Sequence, residues 1–201
     1  MKSPPLGLPA ELAEHGLIAV DRFLPLSDCR RMLREGLTGD WVASGVAVPR
    51  QVASYPSGRS CSTLVVERYS PWMESSLRRI ERWLFQTFEI RPDNLEPWQI
   101  TRYERGDSFD YHLDCGLWRR HPSGERRRTM LVYLEQPVRG GATDFRVLHK
   151  RIRAVAGRLV LWNNLLSTGQ CNHAMIHSGR PVWQGRKTIL TTWERERRYT
   201  R

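Results

Sequence analysis

The sequence predicts a mainly β fold, a β-sandwich or jelly roll, with helices confined to its N-terminal part. From Glu96 onward, short apolar runs alternate with turn residues at modest spacing, a pattern typical of antiparallel β architectures. Before that point, the longest patterned stretch has the three- and four-residue apolar spacing of a helix. We therefore expect N-terminal helices that cover one face of a β-sheet structure.

The N-terminal part, residues 1–95, should mix short helices and strands. Ser27 is suited to cap a helix that runs to Gly36, because its hydroxyl can accept a hydrogen bond from a free amide of the first turn. The stretch 44–60 is rich in Gly, Ser and Pro and has no sustained periodicity, so it is a candidate lid. The remaining expected elements are a short helix over 9–15 and strands over 17–24 and 61–67.

The strongest helix signal begins at Ser70 and Pro71. Proline suits the first helical position, and apolar residues then recur on one face. That face carries Leu77, Ile80, Leu84 and Phe88. This helix should lie against a sheet.

The C-terminal part, residues 96–197, should form the β core. Strands 129–135 and 158–162 are apolar on both faces, which indicates that both faces are buried. The N-terminal helices would supply the cover. The remaining strands are expected near 97–104, 109–114, 142–147, 151–155, 172–177 and 187–195.

Length and composition favour one globular domain over residues 1–201. No apolar run approaches a membrane span and the N-terminus lacks a signal-peptide core, so a cytoplasmic location is the simplest expectation. The four cysteines form no C-x-x-C pair, which argues against a zinc ribbon and, with that location, predicts reduced thiols. The sequence does not indicate an oligomeric state.

The net charge is +11, and 29 of the 32 basic residues are arginines. Such a surface can attract nucleic acid, an acidic peptide or an anionic small molecule. No basic patch is interleaved with aromatic residues in the manner of a base-stacking platform, so nucleic acid is not the expected partner. An acidic substrate is mildly favoured.

The spacing of His112 and Asp114 indicates a metal site. If residues 112–114 are extended, the two side chains share one face and can hold one cation. Two histidines and one carboxylate with open opposite positions suit non-haem Fe(II) that activates oxygen. The third ligand should be His177 or His173. His177 is favoured because the Pro-Val-x-x-Gly segment after it suits a turn that joins two antiparallel segments and brings Lys187 into the same cavity.

Lys187 predicts a second ligand beside the metal. A buried ammonium near a dication is unfavourable unless an anion pairs with it, so a dicarboxylate that bridges the two is expected. Strand alternation places Thr191 and Trp193 on the same face as Lys187. Tyr103 and Tyr133 can each donate a phenolic hydrogen bond to a carboxylate.

Several motifs together resemble the prolyl 4-hydroxylase type of Fe(II)- and 2-oxoglutarate-dependent dioxygenases. The resemblance covers most of the chain. It rests on the Arg-Tyr-x-x-Gly-x-x-Phe-x-x-His-x-Asp run at 102–114, the Gly-Gly-Ala-Thr-Asp-Phe run at 140–145, the Leu-Trp-Asn run at 161–163 and His-x-Gly-x-Pro-Val-x-x-Gly-x-Lys at 177–187. It implies a double-stranded β-helix, or jelly roll, in which Fe(II) is bound by His112, Asp114 and His177.

The resemblance also implies roles around the metal. Lys187 would pair with the distal carboxylate of 2-oxoglutarate, and O2 would be the oxidant, with ascorbate as a supporting reductant. The cosubstrate pocket would be lined by Tyr103, Tyr133 and Thr191. Trp193 would form a wall near the iron, and Arg59, at the end of the candidate lid, would contact substrate.

The implied activity is hydroxylation of an unactivated aliphatic carbon, with succinate and CO2 as co-products. A prolyl residue of a peptide or protein is the leading substrate, and a free amino acid or a natural-product intermediate is the alternative. Oxidative demethylation of nucleic acid is a rival, but Lys187 with Thr191 does not match the paired arginines of that group. A non-catalytic jelly-roll binding module and a Zn(II) site with the same ligands are the rivals from other classes.

Overall fold

A computed structural model describes residues 16–36, 39–44, 58–65 and 69–200. These ranges contain two α-helices, α1 (Leu26–Gly36) and α2 (Pro71–Phe88), and short 3₁₀ turns at Pro92–Asn94 and His173–Met175. The strands, numbered β1 to β13 in chain order, are Leu17–Val20, Asp40–Ala43, Ser62–Val65, Gln99–Tyr103, Phe109–His112, Arg126–Glu135, Arg139–Gly140, Thr143–Phe145, Lys150–Ile152, Leu159–Asn163, His177–Gly179, Val182–Gln184 and Lys187–Arg195.

The strands form two facing antiparallel sheets of a jelly roll. The larger sheet has seven strands in the order β1-β10-β6-β13-β4-β3-β2. The smaller has four strands in the order β5-β11-β8-β9, and β12 pairs with β7 in a separate two-stranded ribbon. The predicted fold class, mainly β with flanking helices, is confirmed.

Helix α2 forms where the sequence predicts it. The Ser70 hydroxyl accepts a hydrogen bond from the amide of Met73 at 3.1 Å, which satisfies a free donor of the first turn. The helix ends at Glu89, which has a left-handed backbone conformation with φ of 56°. The buried face includes all four apolar residues of the predicted stripe, Leu77, Ile80, Leu84 and Phe88.

Strands β6 and β10 of the seven-stranded sheet are buried on both faces, as predicted from their apolar residues. Along β6, Met130, Val132 and Leu134 pack in the cluster that includes the helices. The alternate residues Leu131 and Tyr133 pack in a second cluster between the two sheets. The period of two therefore divides one strand between a supporting core and the interior of the jelly roll.

Some predicted boundaries are wrong. The first strand ends at Val20, and Phe23 and Leu24, although buried, follow it in a turn where Arg22 has φ of 55°. Residues 172–177 are not a strand. Asn172 caps a 3₁₀ turn by accepting a hydrogen bond from the amide of Ala174 at 3.2 Å, and the strand starts only at His177. The expected helix over 9–15 and most of the candidate lid, residues 45–57, lie outside the described residues.

The connection between His177 and Lys187 is not the simple antiparallel turn that the sequence suggested. Strand β11 belongs to the four-stranded sheet and β13 to the seven-stranded sheet, so the chain crosses between sheets. On the way, Val182 pairs with Gly140 in the two-stranded ribbon. Both ends of the connection nevertheless face the same cavity.

Among the described residues, neither helix is long and apolar enough to span a membrane.

Candidate active site

Three side chains meet at the open end of the four-stranded sheet. His112 ends β5 and His177 begins β11, and the two residues are direct partners in the ladder. Asp114 lies two residues beyond the end of β5. One potential ligand atom from each residue lies within 4.8 Å of the others, as expected for a shared cation. The ladder thus fixes both histidines, whereas Asp114 lies outside it.

Both imidazoles are oriented for metal binding by hydrogen bonds to backbone carbonyls. The Nδ1 atom of His112 lies 2.8 Å from the carbonyl oxygen of Asp110, and Nδ1 of His177 lies 2.9 Å from that of Met175. Because a carbonyl can only accept, Nδ1 carries a proton in each ring, and the neutral imidazole then has its lone pair on Nε2. This is the tautomer that a metal needs at Nε2.

The electrostatics of the cluster favour the unprotonated forms of His112 and Asp114. Burial and repulsion from His177 lower the pKa of His112 to about 3. For Asp114, burial favours the protonated form, but attraction to His177, His112 and Arg126 outweighs it and lowers the pKa to about 2. At neutral pH a divalent cation therefore displaces no proton from His112 or Asp114.

Aromatic rings hold the histidines in place. The ring of Phe109 stacks on that of His112 with centroids 3.7 Å apart. The Trp162 ring meets His177 edge-on at 4.8 Å, and Phe145 lies behind it at 5.6 Å. These contacts limit rotation of the imidazoles and exclude water from one side of the cluster.

A cavity of about 470 Å³ opens beside the three residues, and Lys187 lines its inner part. The Lys187 side chain is almost fully buried, with its ammonium 3.8 Å from the centre of the Tyr103 ring. Burial lowers its pKa to about 8. Within the described part of the chain, no carboxylate lies within ion-pair distance of Lys187. A buried cation of this kind needs an anion from outside the chain.

Most of the other predicted residues face this cavity. Tyr103, Thr191 and Trp193 line it, as strand alternation from Lys187 predicts for the last two. Arg59 lines it too, with its guanidinium 4.6 Å from the centre of the Phe109 ring. Within the described residues, the Oγ1 of Thr191 and the Nε1 of Trp193 are buried without a hydrogen-bond partner, so both are available to a ligand.

Tyr133 is placed differently from the other predicted residues. It is fully buried and not among the residues that line the cavity. Its hydroxyl is hydrogen-bonded to the Thr143 hydroxyl at 2.6 Å, and Thr143 does line the cavity. Contact of Tyr133 with a cosubstrate therefore stays a prediction, whereas Thr143 is a cavity residue that the sequence reasoning missed. His173, the alternative third ligand, lies in the 3₁₀ turn and is not part of the cluster.

The outer part of the cavity is lined by Glu96, Trp118 and Arg126. Arg126 stacks on Trp193, 3.7 Å from the ring centre, and its Nε and Nη2 donate to the two carboxylate oxygens of Glu96 at 2.7 and 2.8 Å. Trp118 also contacts Arg126, at 4.8 Å from the ring centre. No sequence spacing links these residues, because they come from three separate segments.

The expectation of reduced thiols is wrong for one pair. Cys115 and Cys171 form a disulfide across 56 residues, with their Cα atoms 5.9 Å apart. Cys29 and Cys61 are free, as expected. The wide sequence separation hid the pair, because only the fold brings the two cysteines together.

Comparison with known proteins shows which family the region around this site is similar to. Residues 98–195, which contain the three clustered residues and Lys187, match the 2OG-Fe(II) oxygenase superfamily. The match covers 98 of the 201 residues of the chain. The donor set fits the metal in the family's name, because two imidazole nitrogens and a carboxylate face an open cavity. Lys187, which is buried and has no anionic partner among the described residues, fits the carboxylate of 2-oxoglutarate.

Among curated proteins, the chain is similar to prolyl 4-hydroxylases. It is 29% identical over 113 residues to prolyl 4-hydroxylase subunit alpha-3 of Homo sapiens, an alignment that covers 54% of this chain and 21% of that protein. It is 26% identical over 150 residues to a putative prolyl 4-hydroxylase of Acanthamoeba polyphaga mimivirus, which covers 71% and 60% of the two chains. The chain thus spans only about a fifth of the human relative.

Solved structures of low sequence identity share the fold. The viral collagen prolyl hydroxylase of Paramecium bursaria Chlorella virus-1, in its 2OG complex, superposes with a TM-score of 0.70 at 22% identity and covers 91% of this chain and 97% of that one. A Trichoplax adhaerens prolyl hydroxylase, in complex with a peptide fragment of the hypoxia inducible factor oxygen degradation domain, gives 0.69 at 16% identity and covers 94% and 87%.

Proposed function

We propose that this chain is an Fe(II)- and 2-oxoglutarate-dependent dioxygenase that hydroxylates a prolyl residue in a peptide or protein. The observation that carries the proposal is the pairing of two features in one cavity. The cluster of His112, Asp114 and His177 offers three metal ligands, and Lys187 is a buried cation without an anionic partner among the described residues. One dicarboxylate can bind the metal with one end and pair with Lys187 through its other carboxylate.

Each residue has a defined task in this proposal. His112, Asp114 and His177 would hold Fe(II), and Lys187, with Tyr103 and Thr191 beside it, would orient the cosubstrate. When bound at these residues, Fe(II) with 2-oxoglutarate and O2 would supply the oxidation of an unactivated C–H bond, with succinate and CO2 as co-products. The enclosed aromatic walls keep water from the reacting carbon.

The choice of a prolyl substrate rests on the relatives. Curated relatives of the chain include the human prolyl 4-hydroxylase subunit alpha-3 and a putative prolyl 4-hydroxylase of a mimivirus, and one structural neighbour was solved with a peptide. The volume of the cavity supports this choice, because about 470 Å³ has room for a 2-oxoglutarate molecule and one side chain. An extended peptide would place the target prolyl side chain in the cavity, and the rest of the peptide would lie outside the cavity.

An acidic sequence around the target proline is the finer part of the proposal. Leu117 and Trp118 line the cavity, and the next two residues, Arg119 and Arg120, are exposed. A peptide that enters past this segment meets two positive charges, in addition to a net charge of +11 on the whole chain. Opposite charge at the entrance favours association with acidic peptides.

The proposal is tested by turnover. The purified protein is incubated with Fe(II), 2-oxoglutarate, ascorbate and a panel of prolyl peptides and free amino acids, and succinate is measured together with the mass of each candidate substrate. We expect one succinate for each oxygen atom added to a proline-containing peptide, and none from Asp114→Ala. Addition of oxygen to a free amino acid alone would overturn the peptidyl substrate. Folded, iron-loaded protein that forms no succinate with any candidate would overturn the dioxygenase itself.

A further inference from the structure

Asp114 needs support that the two histidines do not. His112 and His177 face each other in a ladder between β5 and β11, so backbone hydrogen bonds fix their positions. Strand β5 ends at His112, and Asp114 follows in irregular backbone. A carboxylate ligand on irregular backbone must be oriented by side-chain contacts if the metal site is to be preformed.

One such contact is a hydrogen-bond relay. The Thr129 hydroxyl donates to Oδ2 of Asp114 at 2.7 Å, and Asn164 Nδ2 donates to the same hydroxyl oxygen at 2.8 Å. Thr129 and Asn164 are each 1% exposed, so water does not compete with either bond. Because Asn164 donates to Thr129, the hydroxyl proton of Thr129 is directed at the carboxylate. The relay occupies Oδ2, and Oδ1 lies 3.7 Å from Nε2 of His112.

The second contact is covalent. Cys115, the residue after Asp114, is buried and forms the disulfide with Cys171. The separation of their Cα atoms, 5.9 Å, is within the usual range for such a bond. The disulfide therefore ties the backbone immediately beyond Asp114 to a distant segment of the chain.

Both contacts involve a residue of one hairpin, residues 164–172, which follows β10. The amide of Asn172 donates to the carbonyl of Asn164 at 2.7 Å, and Leu165 pairs with Cys171 in a β-bridge. The amide of Leu166 donates to the carbonyl of Gln170 at 2.8 Å, which closes the turn. The hairpin thus carries Asn164 at its first position and Cys171 near its last.

We propose that the hairpin 164–172 is the positioning element for Asp114, and that its disulfide makes metal binding respond to thiol reductants. This inference rests on the proposed function, because it requires a metal at the His112, Asp114 and His177 cluster. A dithiol breaks the Cys115–Cys171 bond by transferring two electrons and two protons, which leaves two cysteine thiols and the oxidised, disulfide form of the reductant. Asp114 then keeps only the Thr129 relay.

The relay is tested with an isosteric pair of variants. Thr129→Val has nearly the shape of threonine without the hydroxyl, and Thr129→Ser keeps the hydroxyl. Co(II) affinity is measured anaerobically by calorimetry, and the visible absorption of bound Co(II) reports its coordination. We expect Thr129→Val to weaken Co(II) binding about 10- to 100-fold, as loss of an outer-shell partner does, and to change the absorption, while Thr129→Ser restores most of both.

The role of the disulfide is tested by the same measurement, Co(II) affinity. Wild-type protein is reduced with a dithiol, separated from it anaerobically and titrated with Co(II), and alkylation with mass spectrometry reports which cysteines are free. We expect weaker Co(II) binding after reduction. The double variant Cys115→Ser with Cys171→Ser should match the reduced protein and should not respond to the dithiol.

The outcomes separate this inference from the proposed function. If the wild type binds Co(II) and Thr129→Val binds it equally well, the relay does not position Asp114. Equal affinity before and after reduction, or free thiols at Cys115 and Cys171 in air-exposed protein, would overturn the redox response. Wild-type protein that binds no metal would overturn the proposed function, and this inference with it.

Discussion

At the scale of single residues, the site depends on side chains whose charge states are set by burial and by neighbouring charged groups. His112 and Asp114 have pKa values of about 3 and about 2, so neither changes its charge near neutral pH. Lys187 differs, because burial brings its pKa down to about 8. Lys187 is therefore the site residue whose charge should govern cosubstrate binding in the neutral to alkaline range.

Binding of 2-oxoglutarate should weaken as pH rises through about 8. Below that pH the Lys187 ammonium is charged and pairs with the distal carboxylate, and above it the free protein must first take up a proton. We expect the dissociation constant in the Mn(II)-loaded protein to rise about tenfold per pH unit well above 8. Calorimetric titrations between pH 6.5 and 9.5 measure it.

Lys187→Arg is the matched control for this prediction. Its guanidinium stays charged across the range, so binding should depend far less on pH, even if the different shape weakens it at every pH. The same slope in both proteins would assign the pH dependence to another group. A lowered lysine pKa also makes the free folded protein gain stability as pH rises from about 8 towards the unfolded value near 10.5, because the unfolded chain binds the proton more tightly.

Residue-scale prediction from sequence placed side chains correctly where their direction depends on strand alternation. Lys187, Thr191 and Trp193 face the cavity because they alternate along one strand. The hydrogen bond from Thr129 to Asp114 was not predicted, since it depends on the path of the irregular backbone after β5. The disulfide was missed for the same reason.

At the scale of elements, α2 supports the sheet that carries the site. Its apolar face packs on the outer side of the seven-stranded sheet, and Trp98, just before β4, donates from Nε1 to Glu81 of the helix at 2.9 Å. None of the residues that line the cavity comes from α2. The helix should therefore affect stability and leave the chemistry of the site unchanged.

Truncation of the buried face of α2 should destabilise the protein without changing metal affinity. Ile80 is fully buried, so Ile80→Ala should lower the free energy of unfolding by about 2–5 kcal/mol. Urea unfolding followed by circular dichroism measures this change. Arg82→Ala on the exposed side is the control and should change it by less than about 0.5 kcal/mol. Similar small losses in both variants would contradict the packing described for α2.

Long elements were predictable and very short ones were not. Helix α2 has a cap, a proline at its start and four apolar turns, each of which is a local signal. Strands β7 and β12 have two and three residues, which is too short for a period to be visible. Residues 172–177 were wrongly predicted as a strand because their apolar residues fit a strand pattern. In the structure the Asn172 side chain caps a 3₁₀ turn.

At the scale of the whole molecule, the seven-stranded sheet lies between the core that contains the helices and the cavity that contains the candidate site. Its outer face and the two helices form one core, and its inner face, with the four-stranded sheet, encloses the cavity. The jelly roll followed from the sequence pattern and the family resemblance. The crossing from His177 to Lys187 did not, because a turn signal cannot specify which sheet the next strand joins.

The positive charge of the whole chain predicts a salt-dependent preference for acidic peptides. Two prolyl peptides that differ only in flanking glutamates or lysines should differ in kcat/KM at low ionic strength, with the acidic peptide preferred, and the gap should narrow as salt is added. Arg119→Gln with Arg120→Gln should reduce the preference. A preference that is unchanged by salt would show that long-range charge does not select the substrate.

The central claim is that His112, Asp114 and His177 bind Fe(II) beside a 2-oxoglutarate held by Lys187. Its most direct test is an anaerobic titration of the metal-free protein with Fe(II) and then 2-oxoglutarate, followed by the visible charge-transfer absorption of the chelate. We expect a saturable band in the wild type, no band in Asp114→Ala, and a band in Lys187→Ala only at much higher 2-oxoglutarate concentrations. A folded wild type without the band, or an Asp114→Ala variant with the same band, would contradict the claim.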